Sequence, residues 1–179
     1  VDEASQLGPP SARSLLQGGS TACGDALTNR SFPTQPREAT VSKNHHALIQ
    51  HFVDMINNHD VSTMPEHTAP GHIDHNPVVA DGIEANQAFW TEVFAAFPDM
   101  KAVAHDIVAE GDKVAGRFEY TATHQGTFLG IPATGRTVSF QSIDIWRVED
   151  GLLAEHWDQL DMGDIFRQLG VDPATVAQS

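Results

Sequence analysis

A chain of 179 residues with 40% apolar side chains has room for one domain, or one domain plus an arm, and not for a second enzymatic domain. Its 24 acidic and 10 basic side chains leave a formal net charge of −14, which repels phosphate backbones and anionic lipid and makes nucleic acid and membrane surfaces poor partners. No apolar run approaches the ~18 residues that a bilayer span requires, and the single cysteine, Cys23, cannot close an intramolecular disulfide.

Residues 1–40 carry four of the ten prolines and clustered Gly and Ser without a sustained period, the composition of an irregular N-terminal arm. The chain starts at Val1 rather than Met, which implies a trimmed or processed N-terminus and leaves the compartment open, cytoplasmic by default and secreted as the alternative. Asn29-Arg30-Ser31 matches the glycosylation acceptor pattern, which matters only in a secreted eukaryotic protein.

The domain spans 41–172, with 173–179 as a tail. In "SKNHHALIQHFVDMINNHD", Leu48, Phe52, Met55 and Ile56 recur at helical spacing and Ser42 is placed to cap the first helix. Pro65 and Pro70 bracket a short second helix or turn, followed by "GHIDHNPVVADG", which reads as an irregular stretch. "IEANQAFWTEVFAAF" restores the 3.6 period through Phe89, Val93 and Phe97 until Pro98 stops it. The period then changes to two in "KAVAHDIVAE", "KVAGRFEYTATH", "RTVSFQSIDIWRV" and "LLAEHWDQL". Gly111-Asp112 separates the first two, and Asp150-Gly151 is a two-residue hairpin signal between the last two. "MGDIFRQLG" reads as a closing helix with Gly170 at its end. Helices followed by a run of antiparallel strands predict an α+β fold, a curved antiparallel sheet wrapped around helices to form a cone-shaped pocket open to a small apolar ligand.

Alternation puts Leu152, Ala154, His156, Asp158 and Leu160 on one face of the last strand, and Val138, Phe140, Ser142, Asp144 and Trp146 on one face of its hairpin partner. Two carboxylates and an imidazole among apolar side chains are the chemical signal here. Desolvation raises the pKa of such a carboxyl and makes it a usable acid or base near neutral pH. Asp158 could equally accept hydrogen bonds from the backbone or an indole, with His156 a satisfied core histidine. His72, Asp74 and His75 have spacings a metal could use, as do the histidines of the first helix, but neither group is a complete ligand set and no metal is expected. Arg117 and Glu119 share a strand face, either as a surface pair or as part of the site array.

The motifs "HNPVVADG", "FPDM", "HQGTFLGIPATGRTVSFQSIDIWRVEDGLLAEHWDQLD" and "QLG" resemble the SnoaL-like polyketide cyclases, or ester cyclases, over about residues 43–170. The resemblance implies a ketosteroid-isomerase-like cone and a cofactor-independent intramolecular aldol closure of a polyketide ester. Asp158 would do the acid–base work, His156 would tune or orient it, and Asn76 would line the pocket. Asn76, His75 and His124 are the candidate donors to a developing oxyanion. Phe140, Asp144 and Trp146 would complete the binding surface around a small apolar or polycyclic substrate.

Other readings compete. The limonene-epoxide-hydrolase group of the same fold resembles the stretch Pro132–Arg136 and Asp158, and its Arg and second acid would fall on Arg117 and Glu119, although that group has an aspartate where Glu119 stands. A steroid-type isomerase would need a neutral donor, for which Tyr120 sits on the face opposite Glu119. The cone also serves as a plain ligand-binding or dimerisation module. Ile143, Ile145 and Trp157 on the outer face predict a homodimer.

Overall fold

The computed structural model describes residues 36–172, and side chains from Asn44 onward. The arm, apart from its last five residues, and the tail lie outside the described residues, as do Cys23 and the Asn29 tripeptide. Helix α1 runs Pro36–Asn58. Ser42 is therefore inside the helix and not its cap. The reason is Pro36, whose fixed φ suits the first helical position, where its missing N–H costs nothing. Leu48, Phe52, Met55 and Ile56 are buried as predicted, and Ile49 and Val53 widen the stripe. No helix among the described residues is long and apolar enough to cross a membrane.

After a 3-10 turn at Val61–Glu66 the chain enters strand β1, Thr68–Asp74. The expectation of an irregular stretch is thus corrected. This strand has no period of two because its pairing shifts register between Thr68 and Ile73, around Pro70 and Gly71. Proline is tolerated there because β1 is an edge strand. Helix α2, Ile83–Ala96, follows and stops just before Pro98.

Four longer strands come next: β2 Lys101–Glu110, β3 Lys113–Thr123, β4 Thr137–Glu149 and β5 Leu152–Leu160. They pair antiparallel in the predicted hairpins, and the sheet order is β1-β5-β4-β3-β2. The sheet is nonetheless mixed, since β1 lies parallel to β5. Asp150 and Gly151 both adopt positive φ, 51° and 81°, the type I′ geometry that matches strand twist. Helix α3, Met162–Leu169, is capped by the Asp161 side chain at its start and by left-handed Gly170 at its end.

Helix α1 packs on β2 and β3, and α3 on β4. Phe52 of α1 meets Phe118 of β3 and Trp146 of β4 at ring separations of 5.8 and 5.2 Å, edge to face. These three rings form an edge-to-face cluster in the core between α1 and the sheet. Gly116 makes room for them, because a Cβ there would collide with the Phe118 ring.

Candidate active site

Between α1, α2 and the concave sheet face lies a cavity of about 400 Å³, walled by aromatic side chains such as Trp90, Phe97, Phe140 and Trp146. The titratable residues on its wall are His72, Asp74, Tyr120, Asp144, His156 and Asp158, with no Lys or Arg among the lining residues. The last strand therefore aims its carboxylate into a pocket. The β4–β5 register places Asp144 directly opposite Asp158 and Trp146 opposite His156. One feature of β5 departs from simple alternation. The register shifts between Arg147 and Val148, leaving Ala154 as an extra residue, so Leu153 faces inward and Leu152 is only half-buried.

His156 is the hub. Its Nε2 lies 3.0 Å from Asp144 Oδ1, its Nδ1 lies 3.3 Å from both oxygens of Asp74, and its ring stacks on Trp146 at 4.9 Å. Asp144 also accepts a hydrogen bond from the Ser142 hydroxyl. Burial works against a charged His156, but hydrogen bonds to Asp144 and Asp74 outweigh it and lift its pKa to about 9. Asp74 is pushed up by burial and pulled down further by His156, the Asn76 N–H and His72, so it ends below the ordinary carboxylate range.

Asp158 stands apart from this network. Among the described residues its only side-chain donor is Asn76, whose Nδ2 reaches Oδ2 at 2.8 Å. Burial raises the Asp158 pKa, Asn76 and His156 oppose the rise, and Asp144 and Asp74 add to it, with a net upward shift. A carboxyl that is half-buried, held on one oxygen and facing an apolar cavity can take a proton from a bound carbon acid and return it.

The other predicted residues divide by strand face. Asn76, Phe140, Asp144 and Trp146 line the cavity. Arg117 and Glu119 do not: they lie on the outer face, where Arg117 pairs with Asp106 at 2.7 Å and Glu119 with His105 at 2.9 Å. Their neighbours Phe118 and Tyr120 take the inward positions, and the two-residue period forbids both sets from facing in. His75 also turns outward, bonded to Glu155 at 2.9 Å and stacked on Trp157 at 4.8 Å. His124 is fully buried behind Phe97, with Nδ1 3.1 Å from the Thr134 hydroxyl, and does not reach the cavity wall. Trp157, expected to lie bare on the outer face, is sandwiched between His75 and Lys113, whose Nζ lies 4.8 Å from the ring.

Three titratable cavity residues, His72, Asp74 and Tyr120, were not among the predicted site residues. Asp74 enters because β1 is a strand, and the two-apart spacing of His72 and Asp74 in "GHIDHN" was its only sequence signal. Tyr120 stacks on Phe140 at 5.0 Å. Burial, reinforced by Asp144, holds its phenol well above the usual pKa of 10, so it keeps its proton and remains a donor. Facing away from Glu119 is what brings it inside. Donor atoms of His72, Asp74 and His156 lie within 4.8 Å of one another. In this arrangement Asp74 is already engaged by the Asn76 N–H at 2.9 Å, Asn86 at 3.0 Å and His156, while His72 Nδ1 is bonded to the Leu153 carbonyl at 3.0 Å.

Residues 46–169 match the SnoaL-like polyketide cyclase family. Over 107 residues the chain is 36% identical to the aklanonic acid methyl ester cyclase DnrD of Streptomyces peucetius, covering 59% of this chain and 72% of that protein. Among solved structures, TsrD from Streptomyces laurentii superposes with a TM-score of 0.68 at 36% identity, covering 72% of this chain and 96% of TsrD. AclR from Streptomyces galilaeus, a candidate hydroxylase, gives 0.65 at 32% identity, covering 72% of this chain and 97% of AclR.

Proposed function

The chain belongs to the SnoaL-like polyketide cyclase family, and from that premise we propose that it closes a ring in a polyketide-type ester by an intramolecular aldol reaction, with Asp158 as the acid–base residue. The observation that supports this most is the position of Asp158: half-buried on an apolar cavity wall, raised in pKa and free of the ion-pair network around His156. Its carboxylate takes a proton from the carbon between two carbonyls. The enolate carbon attacks a second carbonyl carbon of the same molecule, and the new alkoxide receives the proton back from Asp158. The ester carbonyl acidifies that carbon, so the residues need only shift a proton and stabilise an oxyanion. Tyr120 and Asn76 are the donors placed to do so, replacing His75 and His124 from the sequence reading. A cavity without Lys or Arg suits a neutral ester better than a free carboxylate.

Incubating the protein with aklanonic acid methyl ester, the substrate its relative's name supplies, tests this by mass spectrometry. Cyclisation yields a product of unchanged mass and altered retention. A product heavier by one oxygen would indicate hydroxylation and would overturn the reading, as would conversion of a terpenoid epoxide, offered in parallel, to a product heavier by one water. So would the absence of turnover across a panel of polyketide esters. Epoxide opening with Arg117 and Glu119 is disfavoured because both face away from the cavity; Arg117→Ala and Glu119→Gln should leave turnover unchanged.

The outer sheet face leaves Ile143 at 55%, Ile145 at 38%, Val103 at 53% and Val108 at 67% exposure. We propose that two copies associate through this apolar face.

A further inference from the structure

We propose that Asp74 is a positioning residue: from edge strand β1 it clamps His156 against Asp144, so that the imidazole is held as a fixed cation beside the Asp158 carboxyl. This rests on the reading of Asp158 as the acid–base group but extends to a residue that takes no part in the proton transfer itself.

The geometry carries the charge assignment. A neutral imidazole has one N–H and one lone pair, so one of its nitrogens must accept. Both nitrogens of His156 face carboxylate oxygens, Nε2 towards Asp144 at 3.0 Å and Nδ1 towards Asp74 at 3.3 Å. A carboxylate oxygen can only accept, so between two carboxylates both nitrogens donate and the ring is an imidazolium. The parallel β1–β5 pairing sets this up, because Asp74 and His156 are register partners and so present side chains to the same sheet face.

Asp74 is itself fixed on every side. The Asn76 N–H donates to Oδ1 at 2.9 Å, Asn86 Nδ2 donates to Oδ2 at 3.0 Å, and the carboxylate is 4% exposed. The same loop contributes both the Asn76 N–H that anchors Asp74 and the Asn76 amide that holds Asp158. Around the His156 cation stand Asp74 and His72 from β1, Asp144 from β4 and Asp158 from its own strand. Two carboxylates bind the cation directly, and the third, Asp158, feels its charge without a hydrogen bond to it. Without that cation, Asp158 would face two like charges and its pKa would stand higher still. Asp74 thus acts through His156: its negative charge keeps the cation in place over the pH range in which Asp158 must be able to ionise.

The test is a ¹⁵N NMR titration of the His156 ring in the wild type, Asp74→Asn and Asp74→Glu, run without substrate, with folding checked by circular dichroism. In the wild type both ring nitrogens should be protonated at pH 7, with deprotonation near pH 9. Asp74→Asn is isosteric and keeps an acceptor for the Asn76 N–H; it should lower the midpoint by about one pH unit or more, a tenfold loss of proton affinity, and Asp74→Glu should recover part of it. In pH profiles of turnover, the alkaline limb of Asp74→Asn should move down by the same interval, which a purely structural defect would not cause. A His156 with one unprotonated nitrogen at pH 7 overturns the proposal even if the variants do not fold. So does an Asp74→Asn midpoint equal to the wild type, or a neutral wild-type ring whose resonances Zn²⁺ displaces, which would make the cluster a metal site. The titration needs no turnover. If no ester is consumed but the midpoints move as stated, the cyclase reading fails and the role of Asp74 in charging His156 stands.

Discussion

Asp144 and Asp158 face one another across β4 and β5 as register partners, yet their surroundings differ sharply. Asp144 is tied to His156 and to the Ser142 hydroxyl, whereas among the described residues the one side chain holding Asp158 is Asn76. The neighbouring network fixes Asp144 in place, whereas Asp158 is held on one oxygen at the cavity wall, as the proposed acid–base role requires.

Asp158→Asn keeps the Asp158 shape and removes its basicity. Turnover of a polyketide ester should fall by roughly 10²–10⁴ in kcat, while ligand binding, followed by thermal shift, is retained. An unchanged kcat would remove Asp158 from the chemistry.

Asn76→Ala deletes the hydrogen bond that favours the Asp158 carboxylate. The Asp158 pKa should rise further, so the acid limb of the pH profile should move to higher pH. An acid limb that stays in place would mean that Asn76 does not support the base form.

Gly116→Ala forces a methyl group into the Phe118 ring, which is locked against Phe52 and Trp146. Overpacking of this kind costs about 1–3 kcal/mol, to be read as a lowered urea midpoint with an unchanged slope.

Stability should peak near pH 6.5 and fall on both sides. His67 is 1% exposed and neither ring nitrogen has a hydrogen-bond partner among the described residues. Burial, with His51 and His72 adding to it, lowers its pKa to about 4. The unfolded chain therefore takes up a proton first, and stability present above pH 6.5 is lost as pH falls towards 4, on the order of 3 kcal/mol from this residue. His45, His72 and His124 are lowered by burial too and act in the same direction. His156 has the opposite sign, since its contribution is complete below pH 6.5 and is lost as pH rises through about 9. Urea unfolding across this range should show the peak, and His67→Leu should flatten its acid side.

If the outer sheet face is an interface, the protein should have a dimeric mass by light scattering, and Ile143→Lys should give a monomer that retains its cavity. A wild-type monomer at micromolar concentration would refute the association.

The local signals in the sequence were sufficient for the helices, the four long strands and the placing of Asp158 on the more apolar face of its strand, because each rests on a short-range period or a turn residue such as Asp150-Gly151. The period of two also separates Arg117 and Glu119 from Phe118 and Tyr120, though not which of the two sets faces the cavity. That depends on which face of β3 the helices cover, a contact between segments far apart in the chain. Strand β1 was hidden because Pro70, Gly71 and its polar residues carry no alternation, and its pairing with β5 spans about eighty residues. The Ala154 bulge, which turns Leu153 inward in place of Leu152, is equally a property of the pair and not of either strand. The cavity-facing carboxyl of Asp158 is therefore legible in "EHWD", but the charge that surrounds it is not. Asp74 and Asp144 reach His156 from two different strands, and only their assembly in one sheet converts a histidine and two acids into an ion network.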